Sequence, residues 1–240
     1  MVMRLDKLLA NYGMGTRKEV KAFIRKGYVT VNGEIIKKDD YKVDYEKDII
    51  VFDGEKVNYR PYVYIMLNKP QGYVSATKDN VHPTVIDLII GYENYDLFPV
   101  GRLDIDTEGL LLISNDGDFA HKLMAPSRNH SKIYMAEVEG IMNENDIAAF
   151  KEGIVLDNGY KCKKANLQIL ETGEAFCKVQ IEIFEGKFHQ VKKMVEACGK
   201  HVTYLKRLKI KDLSLDRSLE LGDFRELTDE ELVDLMNDLW

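Results

Sequence analysis

Residues 101–117 place several charged side chains immediately before an apolar run. The stretch reads Gly-Arg-Leu-Asp-Ile-Asp-Thr-Glu-Gly-Leu-Leu-Leu-Ile-Ser-Asn-Asp-Gly. Carboxylates are costly to remove from water unless they are paired, so a stable fold seldom keeps so much charge beside its core. The apolar residues 110–113 predict a buried strand. Asp104, Asp106 and Glu108, just ahead of that strand, are therefore candidates for a reaction site.

Other interpretations of this acidic turn compete with a reaction site. A calcium loop that starts at Asp104 needs a bidentate Glu at its twelfth position, where this chain has Asn115. A glycosidase needs two carboxylates at a set separation, which close sequence neighbours do not establish. A charged turn in which Arg102 neutralises an acid remains open on the evidence of this stretch alone.

Charge is distributed unevenly along the 240 residues. The chain has a net charge of −6, which by itself argues against a nucleic-acid partner. Residues 1–42, however, contain ten lysines and arginines against five acids, whereas residues 223–240 contain seven acids and one arginine. The acidity therefore lies largely in the tail, and the basic charge at the start of the chain leaves RNA binding possible.

Cysteine and histidine spacing excludes several kinds of site. The three cysteines form no Cys-x-x-Cys pair, and an odd number fits a reducing compartment. The five histidines show no helical pairing, so we expect no zinc site. The sequence has no signal-peptide core, no apolar run of membrane-spanning length and no glycine-rich nucleotide motif. We therefore expect a cytoplasmic protein without a membrane association or a nucleotide cofactor.

The first 59 residues predict a small α+β domain. Thr16 and Glu19 have the spacing of a capping box, which predicts a helix over 17–26 that ends at Gly27. Asn32-Gly33 then lies between two short apolar segments, a strong signal for a β-hairpin. Residues 58–61 have the composition of a linker.

A larger domain, residues 60–240, is predicted to follow. Strands are predicted at 62–67, 73–76, 110–114, 132–139, 165–170 and 176–184, and helices at 83–90, 117–124, 143–151, 189–198 and 228–239. The helices do not alternate strictly with the strands, so we expect a mixed, mainly antiparallel sheet flanked by helices. The fold class of the whole chain is therefore predicted to be α+β. The tail helix is expected to brace the domain through Leu232, Leu235 and Leu239.

Three further motifs accompany the acidic turn. Residues 68–76, Asn-Lys-Pro-Gln-Gly-Tyr-Val-Ser-Ala, predict a rigid turn. The strand over 132–139 places Lys132, Tyr134 and Ala136 on one face. Residues 185–194, Glu-Gly-Lys-Phe-His-Gln-Val-Lys-Lys-Met, open a helix with lysines, a combination that attracts anions. Each motif alone also fits a purely structural interpretation: a Pro-Gly turn, a core tyrosine and a solvated helix face.

The ordered set of motifs resembles the RsuA-type ribosomal RNA pseudouridine synthases. The resemblance is carried by Gly-Arg-Leu-Asp-x-x-Thr-x-Gly-Leu-Leu, the upstream Asn-Lys-Pro-x-Gly and the downstream Glu-Gly-Lys-x-His-Gln-Val-Lys-Lys-Met. The first 60 residues resemble the small RNA-binding domain that is named after ribosomal protein S-four. Together these similarities extend over almost the whole chain.

The resemblance implies an enzyme that isomerises a uridine in ribosomal RNA to pseudouridine with no metal and no cofactor. Asp104 matches the aspartate of the family motif, and Tyr134 matches the tyrosine that stacks on the target base. Lys192 matches the basic residue beside the aspartate, with Lys193 as the competing position. Whether the aspartate adds to the sugar or deprotonates it is disputed for the family. A carboxylate suits either role, because it can trap or stabilise an oxocarbenium-like sugar.

The same resemblance implies RNA contacts in both domains. Arg102 is expected to contact phosphate or to help flip the target nucleotide. The candidate RNA-binding residues of the larger domain are Arg102, Lys69, Lys187, His189, Gln190 and Lys193, and those of the first domain are Arg17, Lys18, Lys21, Arg25 and Lys26. We expect a monomer that acts on small-subunit 16S rRNA within an assembling ribosomal subunit. A 23S rRNA synthase of the same family and a non-catalytic RNA-binding or assembly factor are the alternatives.

Overall fold

The computed structural model describes residues 1–237 and 239, which form two compact units. Unit 1 comprises Met1–Val63 together with Gly91–Asp96. Unit 2 comprises Tyr64–Ile90 and the described chain from Leu97 onward. The domain boundary between residues 59 and 60 stays a prediction. Within the described residues, no helix is both long enough and apolar enough to cross a membrane.

Unit 1 packs two helices against short antiparallel strands. The helices are α1 (Leu5–Asn11) and α2 (Arg17–Lys26), and the strands are β1 (Val2–Arg4), β2 (Val29–Val31), β3 (Glu34–Ile35), β4 (Lys42–Asp44), β5 (Ile50–Phe52) and β6 (Glu55–Lys56). Strand β1 pairs with β4, and the other four strands form a sheet in the order β3-β2-β5-β6. The buried apolar side chains of both helices and of strands β2, β4 and β5 form one core, which stabilises the unit by removing them from water.

Local sequence signals account for the boundaries in unit 1. The Thr16 backbone N–H donates to the Glu19 carboxylate at 2.7 Å, and the Glu19 N–H donates to the Thr16 hydroxyl at 3.4 Å. This capping box begins α2, and Gly27 ends the helix at a φ of 85°. The turn at Asn32-Gly33 has positive φ at both residues, as a tight hairpin turn requires. The predicted helix and hairpin are therefore confirmed.

Unit 2 is built on a nine-stranded sheet with helices packed against it. Its strands are β7 (Tyr64–Lys69), β8 (Phe98–Val100), β9 (Glu108–Ser114), β10 (Lys132–Glu139), β11 (Asn166–Thr172), β12 (Phe176–Ile183), β13 (His201–Ile210), β14 (Leu213–Ser214) and β15 (Phe224–Glu226). Its helices are α3 (Gly117–Met124), α4 (Glu144–Glu152), α5 (Gln190–Ala197) and α6 (Asp229–Met236).

The sheet of unit 2 is mixed and mainly antiparallel, as the sequence predicts. The main strand order is β11-β12-β10-β13-β9-β7-β15, with β8 on β9 and β14 on β13. Strands β9 and β13 pair in parallel, and the other pairs are antiparallel. Strand β13 therefore lies between two strands of the candidate site. One is β10, which contains Tyr134, and the other is β9, which begins four residues after Asp104.

Several predicted elements differ from the structure. The strand predicted at 73–76 is wrong: this segment forms a single bridge, between Val74 and Thr84. Of the helix predicted at 83–90, only a short 3-10 turn at Val85–Leu88 forms. Strand β13 was not predicted at all, although it lies near the middle of the sheet. Helix α6 ends at Met236, with Leu235 and Leu239 in the core of unit 2. The helix was predicted over 228–239, and residue 238 of that range lies outside the described residues.

Candidate active site

A cavity of about 890 Å³ opens in unit 2 beside the central strands of the sheet. Its wall is formed by the loop before β9, by strands β10 and β13, and by the start of α5. The charged and aromatic side chains among its lining residues include Asp104, Lys132, Tyr134, His189, Lys192 and Arg207. The acidic turn and the three further motifs, which are far apart in the sequence, thus meet at one cavity.

The Asp104 loop is fixed by the turn motif over residues 68–76. The Ser75 hydroxyl donates to the Leu103 carbonyl at 2.8 Å and accepts from the Leu103 N–H at 3.0 Å. The Gly72 N–H donates to the Ile105 carbonyl at 2.8 Å. These bonds hold the backbone on both sides of Asp104, so the direction of its side chain is set by the fold.

Lys69 supports the same loop from inside the protein. Its ammonium donates to the carbonyl oxygens of Asp104 at 3.0 Å and Thr107 at 2.9 Å, and also to Pro70. Burial lowers the pKa of Lys69 to about 8. The side chain has no exposed surface, and the binding of RNA by Lys69 stays a prediction. Lys69 satisfies carbonyl groups that the tight loop would leave unpaired.

The Asp104 carboxylate faces an ammonium and an imidazole group of the α5 segment. Its oxygens lie 3.4 Å from the Lys192 ammonium and 3.6 Å from Nε2 of His189. The same ammonium donates to Asp106 at 2.6 Å. The side chain of Asp104 is 26% exposed and that of Asp106 is 61% exposed, so Asp104 is the acid enclosed by the cavity. Lys193 instead has its ammonium over the Phe188 ring, which leaves Lys192 as the lysine beside Asp104.

Asp106 therefore acts as the second anchor for Lys192. Burial would raise the pKa of Asp106, but the hydrogen bond and the charge of Lys192 outweigh it and hold that pKa below its ordinary value. The ammonium is thus shared between two carboxylates, one at the surface and one in the cavity. A lysine held in this way keeps a fixed position beside Asp104.

The start of α5 is held in place by a buried glutamate. Glu185 accepts hydrogen bonds from the Tyr160 hydroxyl at 2.6 Å and from the Gln190 amide at 2.8 Å. The side-chain oxygen Oε1 of Gln190 in turn accepts from the Lys187 N–H at 2.9 Å. Gln190 is buried and its side-chain amide is used within the protein, although the residue also lines the cavity, and its contact with RNA stays a prediction. Lys187 is exposed, and His189 is partly exposed beside Asp104.

Strand β10 presents Lys132, Tyr134 and Ala136 on its buried face, as the sequence predicts. Tyr134 lies opposite Arg207 of β13 in the antiparallel register. Arg207 is buried in the cavity wall, and its Nε donates to the Leu110 carbonyl at 2.8 Å. Sequence reasoning missed Arg207 together with its strand. The signal for it is a basic residue at an inward position between Leu205 and Ile210, both of which are buried.

The basic residues of α2 lie in two environments. Arg17 donates to the buried Asp6 carboxylate at 3.0 Å, and the Lys21 ammonium lies 3.8 Å from it. Arg25 pairs with Asp39 at 2.6 Å. The remaining basic residues of this helix, Lys18 and Lys26, are exposed. In unit 2, Arg102 is exposed at the edge of the cavity.

Comparison with known proteins identifies the family of both units. Residues 63–197 match the family model of RNA pseudouridylate synthases, and residues 3–50 match that of the S4 domain. An uncharacterized RNA pseudouridine synthase of Bacillus subtilis (strain 168) is 45% identical over 231 residues, which cover 96% of this chain and 97% of that protein. Ribosomal small subunit pseudouridine synthase A of Escherichia coli (strain K12) is 37% identical over 237 residues, which cover 98% and 100% of the two chains.

A solved structure agrees with these relatives. The crystal structure of a pseudouridylate synthase aligns with a TM-score of 0.68 at 38% identity and covers 97% of this chain and 99% of that chain. The similarity thus extends through the N-terminal unit, the cavity and the tail. The chain therefore belongs to the RNA pseudouridine synthase family and is a member of its RsuA type.

Proposed function

We propose that this RNA pseudouridine synthase acts on ribosomal RNA and that Asp104 is its catalytic aspartate. The observation that carries the proposal is the Asp104 carboxylate inside the cavity, 3.4 Å from the Lys192 ammonium. A positive charge at this distance attracts the carboxylate and holds it in place for the reaction. The name of the Escherichia coli relative supports a ribosomal RNA substrate.

The side chains around Asp104 take complementary roles in this proposal. Tyr134 lines the cavity with its ring and stacks on the target base, which has to leave the RNA stack to reach the site. Lys192 holds the Asp104 carboxylate in position. The carboxylate then reacts with the ribose, either by bonding to carbon 1′ or by taking the proton of carbon 2′. Both routes release the uracil so that it rejoins the sugar through carbon 5.

We further propose 16S rRNA, in an assembling small subunit in the cytoplasm, as the substrate of a monomeric enzyme. The relative from Escherichia coli is named for the ribosomal small subunit. In unit 1, the exposed Lys18 and Lys26 supply phosphate contacts, and Arg17, Lys21 and Arg25 add positive charge along the same helix. Contacts of this kind read the shape of folded RNA more than its sequence.

An exchange of carboxylate for amide at two neighbouring positions tests the catalytic assignment. Asp104→Asn is expected to abolish pseudouridine formation in ribosomal RNA while RNA binding is retained. Asp106→Asn is the matched control, because it removes an equal charge from the same loop, and we expect it to keep measurable activity. Pseudouridine formation by Asp104→Asn at the wild-type rate would contradict the assignment and favour a different acid.

Mapping of pseudouridines in cells with and without the gene tests the substrate. The proposal predicts that one position in 16S rRNA loses its modification, and that purified protein restores it on precursor subunits. A loss confined to 23S rRNA would contradict the small-subunit assignment. Unchanged ribosomal RNA in both subunits, with retained rRNA binding, would favour the alternative of a non-catalytic assembly factor.

A further inference from the structure

Two buried cationic side chains form part of the cavity wall. Lys132 and Arg207 are only 8% and 2% exposed, yet both line the cavity. They belong to the adjacent strands β10 and β13, where Arg207 lies opposite Tyr134 and Lys132 lies two residues before it on the same face. The tyrosine assigned to the target base is therefore flanked by positive charge on the sheet.

Neither cation has a carboxylate within salt-bridge distance among residues 1–237 and 239. The Lys132 ammonium donates to the His130 carbonyl at 2.9 Å, and Arg207 donates through Nε to the Leu110 carbonyl. The Nη2 atom of Arg207 is buried and has no hydrogen-bond partner. Burial and the positive charges of Arg207 and Lys163 lower the pKa of Lys132 to about 8, so most of the ammonium stays charged at neutral pH.

Uncompensated cations at this depth indicate an anionic ligand. Buried charges in proteins are normally paired, because the cost of removing them from water is otherwise too high. Cations that have no charged partner in the substrate-free enzyme are already positioned for a negative charge that appears only during the reaction. Since the charge of Asp104 is matched by Lys192 on the α5 side, the charge of Lys132 and Arg207 remains for the substrate.

We propose that Lys132 and Arg207 stabilise the negative charge on the uracil after its bond to ribose has broken, an inference that rests on the proposed function. When the bond between carbon 1′ and nitrogen 1 breaks, the uracil leaves with both electrons, and the charge spreads over its nitrogen and carbonyl oxygens. Carbon 5 of this anion then bonds to carbon 1′, and the Asp104 carboxylate is regenerated. Loss of the proton on carbon 5 and gain of one at nitrogen 1 give neutral pseudouridine.

The register of the strands favours the base over a phosphate as the anion. Side chains directly opposite each other on antiparallel strands have Cβ atoms about 5 Å apart. A base stacked on Tyr134 is therefore within reach of Arg207, and Lys132 approaches the base from along the same strand. The phosphates of the target nucleotide are separated from its base by the ribose.

A leaving-group comparison tests this proposal. The variants Lys132→Met and Arg207→Gln are compared with wild type on two RNA substrates, which contain either uridine or 5-fluorouridine at the target position. The measured quantity is the single-turnover rate at which the target nucleotide is consumed. Fluorine withdraws electrons and stabilises the uracil anion, so the substituted base needs less help from the protein. We expect each variant to lose about 100-fold in rate on uridine and clearly less on 5-fluorouridine, with unchanged RNA affinity.

The comparison separates this role from a structural one. A distorted cavity slows both substrates by the same factor, so an equal loss on uridine and 5-fluorouridine would overturn the proposal. A loss confined to RNA affinity, with a weaker salt dependence, would identify a phosphate site and also overturn it. Arg207→Lys keeps the charge in the wall and is expected to retain more activity than Arg207→Gln.

Lys163→Met serves as the matched charge control. Lys163 is near Lys132, but its ammonium donates to the Pro126 carbonyl at 3.0 Å and to the Asn129 side chain at the surface. We expect no difference between the two substrates for this variant. The activity of wild-type protein on uridine is measured first, so a failure of the proposed function is seen before the variants are compared.

Discussion

The two units each contain an aspartate surrounded by cations, but the surroundings differ. In unit 1, Asp6 is completely buried and accepts hydrogen bonds from Nε of Arg4 at 2.9 Å and Nε of Arg17 at 3.0 Å. Burial alone would raise the pKa of Asp6, but these hydrogen bonds lower it to about 2. The carboxylate is thereby fully used in holding α1 and α2 together.

In unit 2, Asp104 has an ammonium group nearby, but its carboxylate oxygens are not occupied by hydrogen bonds. The Lys192 ammonium lies 3.4 Å away and Nε2 of His189 lies 3.6 Å away, and among the described residues the Asp104 carboxylate accepts no hydrogen bond. The lone pairs of Asp104 are therefore available to a substrate, whereas those of Asp6 are occupied. Comparable charge thus serves structure in one unit and leaves an acid available for chemistry in the other.

The largest contrast is expected when the same amide replaces both aspartates. Asp104→Asn should lower single-turnover pseudouridine formation by at least about 10³-fold, because a neutral amide can neither attack carbon 1′ nor take a proton. Its midpoint of urea unfolding should stay at the wild-type value, since the carboxylate makes no hydrogen bond that the fold needs. A large fall in stability would show that the difference between the two aspartates is not the one described above.

Asp6→Asn should have the opposite profile. We expect a loss of about 2 kcal/mol in the free energy of unfolding, less than for a fully buried pair because the side chains of Arg4 and Arg17 are 40% and 52% exposed. Urea unfolding monitored by circular dichroism measures the loss. The rate of the chemical step at saturating RNA should be unchanged, and a reduced rate would contradict the assignment of Asp6 to structure alone.

The two neighbouring lysines of α5 sharpen the description of the site. Lys192→Met should reduce kcat by about 100-fold, because it removes the cation next to Asp104. Lys193→Met should leave kcat nearly unchanged, since that ammonium lies over the Phe188 ring. Steady-state rates over a range of RNA concentrations separate kcat from KM. Equal effects of both changes on kcat would show that the charge of the segment, rather than its geometry, is what matters.

The smallest expected effect is a pH dependence of stability that comes from Asp6. Its pKa is lowered from 3.8 to about 2 in the folded protein, so its contribution is complete above the unfolded value and is lost as the pH falls toward 2. Unfolding free energies of wild type and Asp6→Asn should therefore differ most above pH 3.8 and converge below it. A constant difference over this range would contradict the pairing of Asp6 with the two arginines.

Short-range signals in the sequence were sufficient for much of the fold. The capping box at Thr16 and the turn at Asn32-Gly33 each depend on residues a few positions apart, and both are found as predicted. The inward face of β10 follows from simple alternation, so the placement of Tyr134 needed no tertiary information. The acidic turn, the turn motif over 68–76 and the motif over 185–194 could be assigned to one site only through their resemblance to a family.

Features that depend on distant contacts were not predictable in the same way. The buried positions of β13 are spaced unevenly, and β10 shifts register against it twice, so the period of two is lost from the sequence. Lysine and glutamine are residue types usually found at the surface, yet the fold gives Lys69 and Gln190 hydrogen-bond partners that allow both to be buried. No local pattern distinguishes such a buried residue from one at the surface.

The position of β13 has a consequence for the order in which the enzyme matures. Strands β9 and β10 are synthesised well before β13, and β13 pairs with both of them in the finished sheet. Until residues 201–210 are available, the segment with Asp104 and the strand with Tyr134 have no shared neighbour to bring them together. A growing chain that already contains both residues therefore lacks the sheet that places them at one cavity, and that sheet can be completed only after β13 is added.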